Sequence, residues 1–200
     1  MELELTKRQK AIVVGSVLGD GYLEFKGFKG TRLQVKQSER YKKYVHWLYC
    51  ELKNVCKSPP NQKKDSKQWY FGTRYIDELT ELRKIFYDER GIKIVPDNIK
   101  DILLDPLSLA VWYMDDGTLD WRPKNHYAFC LNTHCFSLKG VNKLVETLVI
   151  NFDVKAAVYN NLIRGKRYPR IIIGQKGRDR FLTLIKPYII NCFNYKLPPL

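Results

Sequence analysis

The chain has little cysteine, and none of it arranged to staple a fold. Cys50, Cys56, Cys130, Cys135 and Cys192 form an odd set with no Cys-x-x-Cys pair, which argues against a disulfide framework or a zinc ribbon and leaves reduced, packed thiols. His126 and His134 lie near Cys130 and Cys135, but their spacings match no usual zinc finger, and burial within a strand pattern explains them more simply. Long hydrophobic runs are missing too. The first apolar stretch, Ala11 to Leu18, is too short to cross a bilayer and the N-terminal Met1-Glu2-Leu3-Glu4-Leu5 is acidic, so no membrane span, secretory signal or transit peptide is expected. A soluble, intracellular protein with no membrane partner follows, suited to a bacterial cytoplasm or an organelle matrix. No low-complexity linker interrupts the 200 residues. Acidic residues are scarce: 21 Asp+Glu face 35 Lys+Arg, a net charge of +14.

Such a charge points to a nucleic-acid partner, although net charge alone reports only on non-specific attraction and solubility. The interleaving is more specific. Basic and amide residues stand beside aromatics in Lys26-Gly27-Phe28-Lys29, in Lys67 to Arg74 and in Arg164 to Arg170, the mixture expected where a surface meets phosphates and base edges. Hydrophobic residues make up 44% of the chain, ample for a core.

Two segments repeat one design 96 positions apart, Gly15 to Leu23 and Ala110 to Leu119. Each is an apolar helical run closed by Asp-Gly, with Asp20 and Asp116 at the ends. Glycine is expected to close each helix in the left-handed conformation. Each carboxylate then sits at a helix C-terminus, where the dipole disfavours it and a cation is needed. Helix starts are equally legible: Thr6-Lys7-Arg8-Gln9 is a capping box, and Asp105-Pro106 is an N-cap followed by proline at the first helical position. Gly15 and Gly19 share one face and invite a close helix neighbour, with Ala110 and Met114 expected at the corresponding places of the second helix. Further marks pair Ser38 with Ser137, Gly72 with Gly174 and Lys93 with Lys196, so two halves share one topology of helix, two strands, helix, two strands and helix. The fold class is α+β, with half-domains over residues 1–100 and 101–200.

Both motifs resemble the LAGLIDADG motif of homing endonucleases, in the single-chain, two-motif form. Ser58-Pro59-Pro60, Val95 to Asn98, Pro106 to Ala110, Leu131-Asn132-Thr133, Ile185 to Tyr188 and Tyr195 to Pro198 fall in that family's order, so the resemblance spans nearly the whole chain. It implies two pseudo-symmetric αββαββα half-domains forming a DNA-binding saddle of antiparallel sheets. It further implies a monomeric, metal-dependent endonuclease that cuts both strands of a long, asymmetric duplex across the minor groove, leaves 3′ overhangs and serves intron or intein mobility. Magnesium, for which manganese should substitute, would be held by Asp20 and Asp116 and by backbone carbonyls of Gly19 and Asp115. Asp115 contributes either its carbonyl alone or a solvated side chain that raises the local negative field. Lys93 and Lys196, at matching ends of the halves, are catalytic candidates near the scissile phosphates. Gln34 is the water-positioning candidate of the first half, with Asn132 or Thr133 as its counterpart.

Strand alternation supplies the reading surface. In Arg32 to Gln37, Arg32, Gln34 and Lys36 point one way while Leu33 and Val35 point to the core, giving a ribbon suited to the major groove. In the second half Asn132 and His134 alternate with Leu131 and Thr133, and a basic hairpin tip precedes the apolar Ile171-Ile172-Ile173. Candidate DNA contacts are Lys26, Lys29, Arg32, Gln34, Lys36, Trp69, Arg74, Arg122, Lys124, Asn132, His134, Asn160, Arg164, Lys166, Arg167 and Arg170. Competing readings are an RNA maturase acting on the protein's own intron RNA, or a non-cleaving DNA-binding regulator. A basic ribosome-associated protein would share the charge but leaves the duplicated Asp-Gly helix ends without a role.

Overall fold

A computed structural model describes residues 3–122, 126–163 and 165–199. Lys124 and Arg164 therefore lie outside the described residues. The first half runs α1 (Lys7–Leu18), β1 (Tyr22–Phe25), β2 (Thr31–Gln37), α2 (Lys42–Glu51), β3 (Asn61–Gln62), β4 (Trp69–Gly72) and α3 (Asp77–Phe86). A short α4 (Ile99–Ile102) then leads into α5 (Pro106–Asp116), β5 (Gly117–Arg122), β6 (His126–Leu131), α6 (Leu138–Phe152), β7 (Ala157–Ile163), β8 (Lys166–Ile173) and α7 (Arg178–Ile185). The expected pattern of helix, two strands, helix, two strands and helix is present twice. Two antiparallel sheets share one order, β1-β2-β4-β3 and β5-β6-β8-β7. No helix among the described residues is long and apolar enough to cross a membrane.

The two motif helices begin as their sequences dictate. The Thr6 hydroxyl accepts the Gln9 N–H at 3.2 Å while the Gln9 side-chain oxygen accepts the Thr6 N–H at 3.1 Å. The Asp105 carboxylate likewise accepts the Leu107 N–H at 2.8 Å. Ala11 to Leu18 of α1 and Leu107 to Met114 of α5 are buried without a break. A helix apolar all round must be enclosed, and these two enclose each other at the centre of the core, with both sheets and the outer helices packed around them.

Gly15 makes that approach possible. A methyl group there would lie 2.5 Å from the Ser108 carbonyl oxygen and 2.8 Å from the Val111 Cβ, and the Ser108 hydroxyl donates across the interface to the Ala11 carbonyl at 2.8 Å. The residues facing Gly15 and Gly19 are Val111 and Asp115, one position beyond the expected Ala110 and Met114. The repeat offset of 96 that links Asp20 to Asp116 holds along the whole helix, so glycine meets a larger side chain at both places.

The motif glycines do not close their helices in the left-handed conformation. Gly19 and Gly117 have φ of −99° and −80°, and positive φ among glycines is confined to Gly27, Gly30, Gly91 and Gly165. What Gly21 and Gly117 provide is room. A methyl at Gly21 would sit 2.7 Å from the Ser16 carbonyl oxygen, and one at Gly117 would strike the Tyr113 ring at 2.0 Å. The chain can thus turn back over its own last helical turn into the first strand.

Gly15→Ala is expected to lower stability by about 1–2 kcal/mol, overpacking outweighing alanine's advantage as a helix former. Gly174→Ala, where an added methyl meets nothing within 4 Å, should stay within about 0.5 kcal/mol of the parent. Chemical denaturation of the two variants beside the parent checks both.

Candidate endonuclease centre and DNA-reading faces

Both motif helices end at one place. The Asp20 carboxylate is exposed, whereas Asp115 and Asp116 are half-buried. The electrostatics are those of like charges forced together. Burial and then the negative charge of Asp20 push the Asp116 carboxyl up to about 7, opposed by Lys93 and Lys196. Burial followed by Asp20 also pushes Asp115 well above the usual carboxylate range. The Asp115 side chain is not a solvated neighbour of the pair: it turns into the helix interface, where its Oδ2 accepts the Asp20 N–H at 3.2 Å. It fills the space a Gly19 side chain would need, its carboxylate lying 2.6 Å from that site.

Each helix end carries a lysine. Lys93 Nζ donates to the Gly19 carbonyl at 2.7 Å. Lys196 Nζ donates to the Met114 carbonyl at 2.6 Å, to Tyr113 at 3.2 Å and to Asp115 at 3.5 Å. The repeat pairing of these lysines thus corresponds to one arrangement made twice, a cation on the C-terminal carbonyls of its own half's motif helix. Burial lowers both, Lys196 to about 8. The Tyr113 hydroxyl returns a bond to the Lys196 carbonyl at 2.6 Å, fixing the closing segment against α5. Phe193 of that segment stacks on Tyr41 and meets Tyr44 edge-on, which ties the end of the second half to the first.

Gln34 lies away from this centre, its amide donating to Glu24 at 3.0 Å. The β2 residue that reaches Asp20 is Gln37, whose amide donates to Asp20 Oδ2 at 2.7 Å. Alternation hid it, because Gln37 shares its row with Leu33 and Val35 and leaves the core only at the strand end. In the second half β6 ends at Leu131, so Asn132 and His134 are not strand residues as expected. Just past the strand end, both the backbone N–H and the side-chain amide of Asn132 bond to the Asp116 carbonyl, at 3.1 and 2.8 Å. The Thr133 hydroxyl faces away to the Pro169 carbonyl. The strand ladders pair Tyr22 with Gln34 and Thr118 with Cys130, so Cys130 occupies the position equivalent to Gln34.

Arg32, Gln34 and Lys36 share the wet face of β2, opposite buried Leu33 and Val35. Arg32, Gln34, Tyr70 and Arg74 line a concavity of about 370 Å³ on that face. Lys26 and Lys29 flank the β1–β2 turn, and the side chain of Phe28 between them is 97% exposed. Trp69 is on the other face. It alternates with Tyr70 and shares its row with buried Phe71, so its ring meets Lys42 at 4.3 Å and its indole N–H donates to Glu39 at 2.7 Å. In the second half Arg122 is exposed on β5, His134 packs against Tyr168, and Arg170 lies over the Tyr159 ring at 5.4 Å. Asn160 and Arg167 are exposed near the β7–β8 turn, in whose ladder Lys166 pairs with Ile163.

The chain matches the LAGLIDADG DNA endonuclease family over residues 10–181. It is 27% identical to the DNA endonuclease I-ChuI of Chlamydomonas applanata, with 98% of this chain and 96% of that protein covered. It is also 30% identical to the cytochrome b mRNA maturase bI2 of Debaryomyces hansenii, covering 96% of this chain and 74% of the maturase. Among solved structures, the homing endonuclease I-WcaI bound to its DNA recognition sequence superposes with a TM-score of 0.83 at 26% identity, over 98% of this chain and 88% of that one. Two αββαββα halves joined through their motif helices, with an Asp-Gly at each helix end and a match spanning most of the sequence, make this chain a member of the LAGLIDADG DNA endonuclease family.

Proposed function

We propose that this protein is a site-specific homing endonuclease. It hydrolyses one phosphodiester on each strand of a long, asymmetric DNA duplex with a divalent metal, leaving 3′ overhangs and serving the mobility of an intron or intein. The observation that carries this reading is the meeting of Asp20 and Asp116 at two adjoining helix ends, each end carrying its own lysine. The two half-domains, over residues 1–100 and 101–200, meet through α1 and α5 within one chain, which supports a monomer.

The donor set fits magnesium or manganese. Its donors, two carboxylates and two backbone carbonyls, are hard oxygens. Asp20 and Asp116 would hold the ion with the Gly19 and Asp115 carbonyls, and a cation there would offset both the burial and the Asp20 charge that together raise Asp116 to about 7. Bound there, the metal supplies Lewis acidity toward a phosphate oxygen and a more acidic attacking water.

The chain's own groups do the rest. Lys93 and Lys196 bring positive charge toward a phosphate lying over the helix ends, where charge grows in the transition state. Gln37 fixes one Asp20 oxygen and leaves the other free. Asn132 holds the Asp116 carbonyl, fixing the turn that aims the second carboxylate. The wet faces of the two sheets, rich in Arg, Lys and amide groups, supply phosphate anchoring and base-edge contacts in the major groove. Unequal side chains at equivalent places, such as Gln34 and Cys130, support a non-palindromic target.

A second reading, RNA maturation, is favoured by the similarity to the maturase of Debaryomyces hansenii. Splicing of the protein's own intron RNA with and without the protein separates it from DNA cleavage, and both activities can reside in one chain.

Asp20→Asn and Asp116→Asn are expected to bind target duplex with near-parental affinity and to cut neither strand, in a cleavage assay with magnesium run beside EDTA. Loss of binding by both variants would sink the separation of roles. Lys93→Met should slow cleavage by about 10²–10³-fold with binding retained, read by single-turnover kinetics. Because the folded pKa of Asp116 lies above its unfolded value, the native state holds the proton longer, and this group's contribution to stability falls as pH rises from about 4 to about 7. Without metal, Asp116→Asn should therefore be the more stable form at pH 8, with the advantage shrinking toward pH 4 and offset at pH 8 when magnesium binds the parent. Thermal denaturation across pH, with and without magnesium, measures this.

A further inference from the structure

Each reading face carries an acidic residue in the same place. Glu24 on β1 and Asp120 on β5 stand four residues after Asp20 and Asp116, and each is followed two positions later by a basic residue, Lys26 and Arg122. In a chain of net charge +14, a carboxylate repeated at the middle of both DNA-facing strands weakens attraction for every duplex alike. Toward DNA it becomes favourable only where a hydrogen-bond donor on a base meets it.

The surroundings of Glu24 are those of a built site. Its Oε2 accepts Arg32 Nε at 2.6 Å and Gln34 Nε2 at 3.0 Å, and Lys26 Nζ lies 3.2 Å from Oε1. Burial opposes ionisation, yet the hydrogen bonds from Arg32, Gln34 and Lys26 hold the carboxyl below its ordinary range. Three candidate DNA contacts therefore take their positions from one acceptor. Asp120 makes the simpler pair, 3.1 Å to Arg122, and stands opposite Ala128 as Glu24 stands opposite Arg32. The second half thus repeats the carboxylate and the cation two residues on, but has no counterpart of the Arg32 contact.

We propose that Glu24 and Asp120 are specificity-determining residues of the two half-sites, each accepting a base amino group, cytosine N4 before adenine N6, from the major groove. Carboxylates accept from cytosine N4 in this way. The proposal rests on the endonuclease reading above. Glu24 has a further positioning role toward Arg32 and Gln34 that Asp120 lacks toward any strand neighbour but Arg122. The first half-site should therefore lose discrimination at more than one base pair when Glu24 is changed, and the second at one.

The test compares the parent with Glu24→Gln and Asp120→Asn, which keep shape and remove charge. Two quantities are measured: affinity for a random-sequence duplex, and cleavage of a target panel carrying every single-base change, the target being the site selected from a randomised library. Each variant is expected to bind random duplex several-fold more tightly at low salt. Each should also lose about fivefold or more discrimination in its own half-site only. Unchanged base preference in both variants, or preference lost evenly across both half-sites, would overturn the assignment and leave ordinary surface ion pairs. A parent that binds no duplex selectively overturns the DNA reading itself, and this role with it.

Discussion

Everything in this molecule depends on two helix C-termini, each ending in a carboxylate, being held against one another. Electrostatics oppose that arrangement twice, through the like charges and through the negative ends of both helix dipoles. The apolar contact between α1 and α5 imposes it. The helices are buried without a break over Ala11 to Leu18 and Leu107 to Met114, and Gly15 lets their backbones approach until the Ser108 hydroxyl reaches the Ala11 carbonyl. Burial of apolar area, worth about 25 cal/mol per Å², favours the seam along its length, and the unfavourable charge is concentrated at its tip.

The tip is then relieved locally. Lys93 and Lys196 come from the closing segments of the two halves and neutralise the last carbonyls of each helix. Asp115 is withdrawn from the charged cleft into the interface, where it accepts the Asp20 N–H. What remains is a carboxylate pair in which burial and the Asp20 charge outweigh the two lysines, as the raised Asp116 carboxyl records. A fold stabilised by its core can maintain such a centre because the cost is confined to a few groups. The same local strain makes the centre receptive to a cation and to a phosphate.

Much of this was legible in the sequence, for physical reasons. Helix starts were readable because a capping box and an Asp-Pro start use side chains within three residues of the backbone they satisfy. The alternation in Arg32 to Gln37 separated wet from buried residues because strand period is a local property. Trp69 shows the limit. Its neighbours suggest a DNA-facing aromatic, but its row on β4 places it with Phe71 against α2. Gln37 shows the converse, a residue in the buried row that reaches Asp20 because the strand ends beside the helix tip. Asn132 and His134 continued an apparent alternation after the ladder had stopped, since β6 ends at Leu131 and alternation in the sequence does not mark where pairing with a neighbouring strand ends.

The sequence by itself determined the duplication, the two carboxylates, their lysines and the α+β topology, because each follows from short-range periodicity and from spacing repeated along the chain. Only the tertiary structure decided which residues meet across the seam. Val111 and Asp115, in place of Ala110 and Met114, face the glycines. Gln37, in place of Gln34, holds Asp20, and the motif glycines serve as gaps for a close turn and for a neighbouring carboxylate instead of as left-handed caps. Such matters turn on helix rotation and strand ends, where a shift of one residue exchanges one face for another. They are fixed by how whole elements pack, so no local run of residues encodes them.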